Sequence, residues 1–448
     1  MAWYEEAIFY HIYPLGLAGA PEQNSHEITV HRLRNLWPWV DHLKGIGCTA
    51  LYIGPLFESS SHGYDTSDYY KVDSRLGDNN DLKELVAYCH EQGLRVILDG
   101  VFNHSGREFF AFQDLLQHKE QSPYAAWYSG VNFKENNEYD DGFSYDNWGG
   151  YNLMARFNQK NPEVVAYICD VVRFWVDEFD IDGLRLDAAD VLDPDFRRAL
   201  RRLANVIKPD FWLMGEVIHG EYCDWVNDEM LHSVTNYRLH QALFSGHNDH
   251  NYFEIAHTVN EINTMFDWDA RARRLYNFVD NHDVERIYTK LNNKDHFLPV
   301  HILLFSLPGV PSIYYGSEFG IDGPKERFSD DSLRPYLNSY DLQSESWGSP
   351  LTTIIVRLAW LRQETPELSY GDYRELYLTN RQYAFSRSFH GRTVIVTVNN
   401  DDIDATFTVD GAGVEEYIGA LSLERVRTEE GKLTVRVPAN GGEIWRQV

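Results

Sequence analysis

Three acidic residues in this chain each end a strand-like apolar run. They are Asp187 in Gly183-Leu-Arg-Leu-Asp187, Glu216 in Phe211-Trp-Leu-Met-Gly-Glu216 and Asp283 in Asn277-Phe-Val-Asp-Asn-His-Asp283. A carboxylate just past a buried strand is held rigidly at a sheet edge and opens into a cleft. Strands separated by helices imply a parallel barrel, whose C-terminal rim is where side chains from different strands meet. Two carboxylates meeting there can serve as nucleophile and proton donor on a glycosidic bond.

The elements that must position them follow from hydrophobic patterning. Strand-like runs fall at residues 8–14, 50–53, 95–98, 183–187, 211–215, 231–235, 275–279 and 312–315. Eight is the number that closes a (β/α)8 TIM barrel. The sixth, Leu231-His-Ser-Val-Thr235, carries the weakest pattern. Between the runs, residues 81–93 place apolar side chains at three- and four-residue spacing before a Gly stop. Asn161-Pro-Glu opens a second helix with Pro in its first turn, and Asp193-Pro-Asp opens a third. The third carries Arg197-Arg198 and Arg201-Arg202, which read as a solvated helix face.

The spacing breaks once, between the third and fourth strands. Residues 104–154 are rich in Tyr, Asn, Asp and Gly, with Asn136-Asn-Glu-Tyr-Asp-Asp-Gly142 at their centre. A long excursion on the catalytic face usually forms part of a binding cleft. From about residue 373, short alternating runs at 381–389, 393–399, 405–409 and 432–437 read as antiparallel strands. The expected architecture is an α/β chain. Its barrel comprises residues 1–103 and 155–372, with an inserted loop-rich domain at 104–154 and a C-terminal β-sandwich domain at 373–448.

Composition narrows the class. The net charge of −28 argues against nucleic acid or an anionic membrane as partner. The 43% hydrophobic content supports a substantial core. The chain has 28 Tyr, 24 Phe and 12 Trp; some suit sugar platforms, while most should be core. Cys48, Cys89, Cys169 and Cys223 show no CxxC pairing or zinc pattern and are expected as buried free thiols. No run of eighteen apolar residues occurs, and no N-terminal signal is read. A cytoplasmic location is expected, or a secreted one if a signal has been removed.

Four blocks in order carry a resemblance: Asp99-Gly-Val-Phe-Asn-His104, Gly183-Leu-Arg-Leu-Asp187, Gly215-Glu216 and Phe278-Val-Asp-Asn-His-Asp283, with Gly63-Tyr64-Asp65 upstream. Together they resemble the α-amylase superfamily of glycoside hydrolases (family thirteen), end to end. The resemblance implies Asp187 as nucleophile, Glu216 as general acid and then base, and Asp283 as a third acid gripping sugar hydroxyls. It implies substrate-binding roles for Tyr64, stacked beneath the sugar, and for His104, Arg185 and His282. Arg185 shares a strand face with Asp187, where its charge would hold the carboxylate ionised. Asp99 and Asn103 are expected as supports of the rim.

Departures from the family also bear on function. The Lys-His pair that binds leaving-side sugar in many α-amylases is replaced by Asp190 and Val191, so that subsite must be built differently. Asn103 matches a calcium-ligand position, and Asp140-Asp141 could contribute, but no DxDxDG-type loop appears. The expectation is that no cofactor is required, with calcium admitted only by the resemblance. Gly215-Glu-Val-Ile-His219 and Val284-Glu-Arg286 look like the neopullulanase and cyclomaltodextrinase branch. That branch usually carries an N-terminal β domain with no counterpart read here, so oligomerisation through it is not expected, and sequence leaves the oligomeric state open.

The reading is a retaining hydrolase of α-1,4 bonds in maltodextrins or soluble starch, with an α-glucan as its partner. Alternatives on the same scaffold are an exo-acting maltogenic enzyme, an α-glucosidase and an α-glucan transglycosylase. A catalytically dead binding subunit is disfavoured because all three acids, Arg185 and both histidines are present.

Overall fold

The computed structural model describes residues 2–338 and 349–448. Its centre is eight parallel strands: β1 (Phe9–Ile12), β2 (Ala50–Ile53), β3 (Arg95–Gly100), β4 (Gly183–Leu186), β5 (Trp212–Gly215), β6 (Ser233–Val234), β7 (Tyr276–Phe278) and β8 (Val310–Tyr314). Their spatial order is β6-β5-β4-β3-β2-β1-β8-β7. A parallel bridge between Thr235 and Tyr276, with the Asn236 N–H donating to the Tyr276 carbonyl at 2.9 Å, closes the ring. All eight strands coincide with the apolar runs. The weakest run shrinks to the two residues of β6, and the bridge just beyond it completes the barrel.

Strands buried on both faces read as nearly continuous apolar segments, and side-chain alternation then sorts each strand into two layers. Phe9, Tyr52, Ile97, Trp212, Met214, Tyr276, Phe278 and Val310 fill the barrel interior, where Phe9 and Trp212 stack with centroids 5.1 Å apart. The opposite set, including Ile8, Leu51, Leu98, Leu184 and Leu213, packs outward into the main core. A plugged barrel is a rigid floor for whatever sits on its rim.

The connecting helices include α1 (Trp37–Gly45), α2 (Asn79–Glu91), α3 (Pro162–Phe179), α4 (Pro194–Ile207), α5 (Tyr237–Asn248), α6 (Tyr252–Met265), α7 (Phe297–Ser306) and α8 (Pro350–Gln363). Asp78, Asn161 and Asp193 cap α2, α3 and α4 by accepting backbone N–H groups of the first turn, each worth about 1 kcal/mol. The buried face of α3 runs Val164, Ile168, Val171, Val172, Trp175, Val176, Phe179. From it, Trp175 stacks on Phe57 at 4.1 Å and donates to the Tyr69 carbonyl at 2.7 Å.

Two expectations are corrected by packing. Arg197 is only 6% exposed, so the basic run of α4 is not uniformly solvated. Its phase on the helix turns it inward with Phe196 and Leu200, over the ring of Trp225. Of the four free cysteines, Cys48 and Cys89 are buried, whereas Cys169 and Cys223 are half-buried.

Beyond α8 the chain forms a six-stranded sheet and a two-stranded one. The strands are β9 (Asp372–Leu378), β10 (Gln382–Phe389), β11 (Arg392–Asn399), β12 (Ala405–Asp410), β13 (Glu416–Gly419), β14 (Arg425–Arg427), β15 (Lys432–Val437) and β16 (Gly441–Gln447). The larger sheet is ordered β9-β10-β11-β16-β13-β14, and β12 pairs with β15. Tyr383, Phe385, Val394, Val396, Val398 and Ile444 share one buried cluster with Ile302 and Leu303 of α7, so this layer is continuous with the barrel's core. Among the described residues no helix is long and apolar enough to cross a membrane.

Candidate active site

Strand register brings the acids together. On β3 and β4, Asp99 pairs with Arg185. On β4 and β5, Leu186 pairs with Gly215, so Asp187 and Glu216 are the next residues out on neighbouring strands. The strands can approach because Gly183 lies against β5, where a Cβ would come within 2.5 Å of the Trp212 carbonyl oxygen.

Arg185, 2% exposed, is the hub. Its Nη1 lies 2.8 and 2.9 Å from the two Asp99 oxygens and 2.9 Å from Asp187 Oδ1. Its Nη2 lies 2.8 Å from Glu216 Oε1. Glu216 Oε2 accepts the Ala188 N–H at 3.0 Å. That turn places Ala188 at φ +46°, a left-handed conformation costing about 1–3 kcal/mol for a non-glycine residue. The strained residue next to Asp187 thus aims an amide at Glu216. No hydrogen bond among the described residues reaches Asp187 Oδ2, the oxygen turned away from Arg185.

The third acid sits past β7. His282 Nε2 is 3.0 Å from Asp283 Oδ2, and Arg334 Nη2 is 2.9 Å from Asp283 Oδ1. Arg334 is itself fixed by Asp330 at 2.9 Å, by the His282 carbonyl at 3.0 Å and by the ring of Tyr13 below it. Sequence reading did not single out Arg334. It lies 51 residues beyond its acid, in a loop with no periodic pattern to mark it.

Tyr64 is carried at the turn of a hairpin, Phe57–Ser59 with Thr66–Val72, that the apolar pattern did not reveal. Gly63 there has φ +89° and lies so near Pro55 that a Cβ would clash at 2.9 Å. The Tyr64 ring lies nearly parallel to His282, at 13° and 5.7 Å. Its hydroxyl donates to Asp99 Oδ2 at 3.2 Å and bonds His282 Nε2. His104 is fully buried: its Nε2 meets the Tyr64 carbonyl at 2.9 Å and its Nδ1 meets Asn103 Nδ2 at 3.3 Å. It therefore stands behind Tyr64 and braces that backbone. Burial pushes the His104 imidazole down to about 4, so it is neutral.

Electrostatics separates the three carboxyls. Burial raises Asp187 well above the usual carboxylate range; Arg185 opposes that and Glu216 adds to it. Burial also raises Glu216, with Arg185 opposing and Asp283 reinforcing. Burial would raise Asp283 too, but His282 and then Arg334 outweigh it and hold the group well below its ordinary value. One buried pair that resists double ionisation beside a permanently ionised third acid is an arrangement for proton transfer.

The donor set does not fit calcium at the position the resemblance raised. Asn103 Oδ1 is buried without a partner. However, both oxygens of Asp141 are taken by Arg107 at 2.7 Å, with Asn137 adding a third bond at 2.8 Å. Asp140 Oδ1 accepts from Asn136 at 2.7 Å. A cation wanting six to eight oxygens would find one amide oxygen, with both Asp141 oxygens and one of Asp140 already bonded.

Comparison with known proteins agrees with this geometry. The model of the α-amylase catalytic domain matches residues 32–347, and that of the α-amylase C-terminal domain matches residues 371–445. A cyclomaltodextrinase of Thermoanaerobacter pseudethanolicus is 30% identical over 456 residues, covering 94% of this chain and 75% of that protein. Neopullulanase 2 of Thermoactinomyces vulgaris is 32% identical, covering 99% and 78%. A crystal structure of the debranching enzyme from Nostoc punctiforme superposes with a TM-score of 0.85 at 27% identity, covering 99% of both chains. The chain belongs to the α-amylase family of glycoside hydrolases.

Proposed function

We propose that this enzyme is a retaining α-glucan hydrolase that cuts α-1,4 bonds of maltodextrins and soluble starch by double displacement. The observation that carries the reading is the Arg185 guanidinium in contact with both Asp187 and Glu216. Adjacent strands lie about 4.8 Å apart. Two carboxyls at matching rim positions on such strands, sharing one guanidinium, suit the separation of about 5–5.5 Å that retaining chemistry uses.

In the first step Asp187 Oδ2 attacks the anomeric carbon. The bond to the leaving sugar breaks, and Glu216 gives its proton to the departing oxygen. In the second step Glu216 takes a proton from water, whose oxygen displaces Asp187 and restores the α-anomer. Burial raises both carboxyls, with Arg185 opposing, which favours a proton shared by the pair, and seating it on Glu216 gives the reactive state. Asp283, ionised throughout, would accept hydrogen bonds from sugar hydroxyls as positive charge develops on the ring. Tyr64 would offer an apolar face beneath it. No step requires calcium.

The test is a product time course on maltoheptaose, soluble starch, cyclodextrin and pullulan with anomer detection. The last two are included because relatives carry the names cyclomaltodextrinase and neopullulanase. Short α-anomeric products are expected from mid-chain cuts. Asp187→Asn should nearly abolish turnover while maltoheptaose still binds, and Glu216→Gln should remove the alkaline limb of the pH profile. Initial release of the β-anomer, or full activity in Asp187→Asn, would overturn the mechanism.

A further inference from the structure

Beside the loop that follows Asp187 lies an open pocket of about 540 Å³, lined by Arg156, Lys160, Asp190, Val191, Asp193 and Arg197 among others. The chain has a net charge of −28, and Asp193, Asp224 and Asp190 act on Arg197 only at longer range. Among the described residues, Arg156, Lys160 and Arg197 enter no ion pair. The Arg156 side chain makes a single 3.5 Å contact, with the Val191 carbonyl. Among the described residues the Arg197 guanidinium makes no hydrogen bond: Nε and Nη1 are sealed and unpartnered, and the group lies over the Trp225 ring at 5.6 Å. Its neighbour Arg198, by contrast, is paired with Asp195 at 2.8 Å and Glu229 at 3.1 Å.

Of the two acids of the pocket, Asp193 is committed to backbone. Asp193 Oδ1 caps α4 by accepting the Asp195 and Phe196 N–H groups at 2.8 and 3.4 Å. Burial raises the Asp190 carboxyl above its ordinary value. Arg197 also sits in the first turn of the fourteen-residue helix α4, where the helix dipole disfavours a cation and favours an anion. A buried guanidinium without an acceptor is costly, and Nη2, the one nitrogen not sealed, is the donor an oxyanion in the pocket would answer.

We propose that this pocket is a binding site for a phosphate-class oxyanion, held by Arg197 from below and by Arg156 and Lys160 at its mouth. The same chemistry is offered by free inorganic phosphate and by a phosphate monoester on a sugar; the pocket holds Asp190 and Val191, at the leaving-side positions, but none of the three catalytic acids.

Calorimetric titration of the full chain at low ionic strength, first with inorganic phosphate and then with glucose 6-phosphate, tests it. Saturable binding is expected. Arg197→Met should weaken it about tenfold or more, the loss of a charge-assisted hydrogen bond. Lys160→Gln, at an exposed position that folding does not depend on, and Arg156→Gln should each weaken it by a smaller factor. Tighter binding of glucose 6-phosphate than of phosphate assigns the site to a sugar ester; equal or weaker binding assigns it to the free anion. Absence of saturable binding by either probe, or binding left unchanged by all three substitutions, would overturn the proposal.

Discussion

At the scale of single residues, the site is governed by which cation each carboxyl touches. Asp187 and Glu216 divide one guanidinium that Asp99 also claims, so Arg185 offers neither a full counter-charge. Asp283 is held by two groups, His282 and Arg334, although Arg334 also pairs with Asp330 and His282 also bonds Tyr64. This asymmetry predicts the effect of Arg334→Met. Asp283 loses a charged partner, its carboxyl rises toward the ordinary range, and the acidic limb of kcat/KM moves to higher pH. The cost in kcat/KM at neutral pH is about 10–100-fold, corresponding to the roughly 1.5–3 kcal/mol of a charge-assisted bond. A pH–rate profile of the variant with an unmoved acidic limb would show that Asp283 does not depend on Arg334.

At the scale of elements, one buried acid ties several of them at the floor of the barrel. Asp182, just before β4, accepts from His90 of α2 at 2.8 Å, the Val96 N–H of β3 at 2.9 Å and Arg95 at 3.0 Å, with Lys208 beyond α4 at 3.1 Å. Burial would raise this carboxyl, but His90, the Val96 amide and Lys208 pull it down to about 2. A folded value below the unfolded one stabilises the protein above the unfolded value, near 3.8, and the stabilisation is lost as pH falls toward 2. The shift corresponds to about 2 kcal/mol. Asp182→Asn should therefore lower the urea midpoint at neutral pH. Its difference from the parent chain should shrink as pH falls from 4 towards 2; a constant difference would assign the loss to packing instead.

At the scale of the molecule, two features act together. The buried cluster passes from the barrel through α7 into β10, β11 and β16 without a break, so the layers should melt as one unit. The inserted segment is fastened by Arg107, which grips Asp141 in bidentate fashion, bonds the Tyr145 hydroxyl at 2.7 Å and lies over the Tyr139 ring at 3.9 Å. A fixed guanidinium thus occupies the carboxylate that a metal would need. Calorimetry should give a single transition whose Tm and residual hydrolytic activity are unchanged by a calcium chelator. A chelator-induced drop, or a separate early transition, would show that a cation completes the insertion.

The local sequence by itself determined the eight strands, the body of α2, the starts of α3 and α4 and the strand-end placement of the three acids. Each rests on a short apolar run, on helical spacing or on a cap or first-turn Pro within three residues. It also marked four of the C-terminal strands. It did not reveal β16, which begins Gly441-Gly442, or β9, whose side chains are largely exposed. Only tertiary structure could decide that Arg185 spans from Asp99, 86 residues away, to Glu216, that Arg334 reaches back to Asp283, that His104 faces Tyr64, and that Arg197 turns inward while Arg198 stays paired at the surface. These are contacts between elements, set by register and by the phase of a helix against its neighbours. Residue type and spacing along one segment carry no information about what lies opposite.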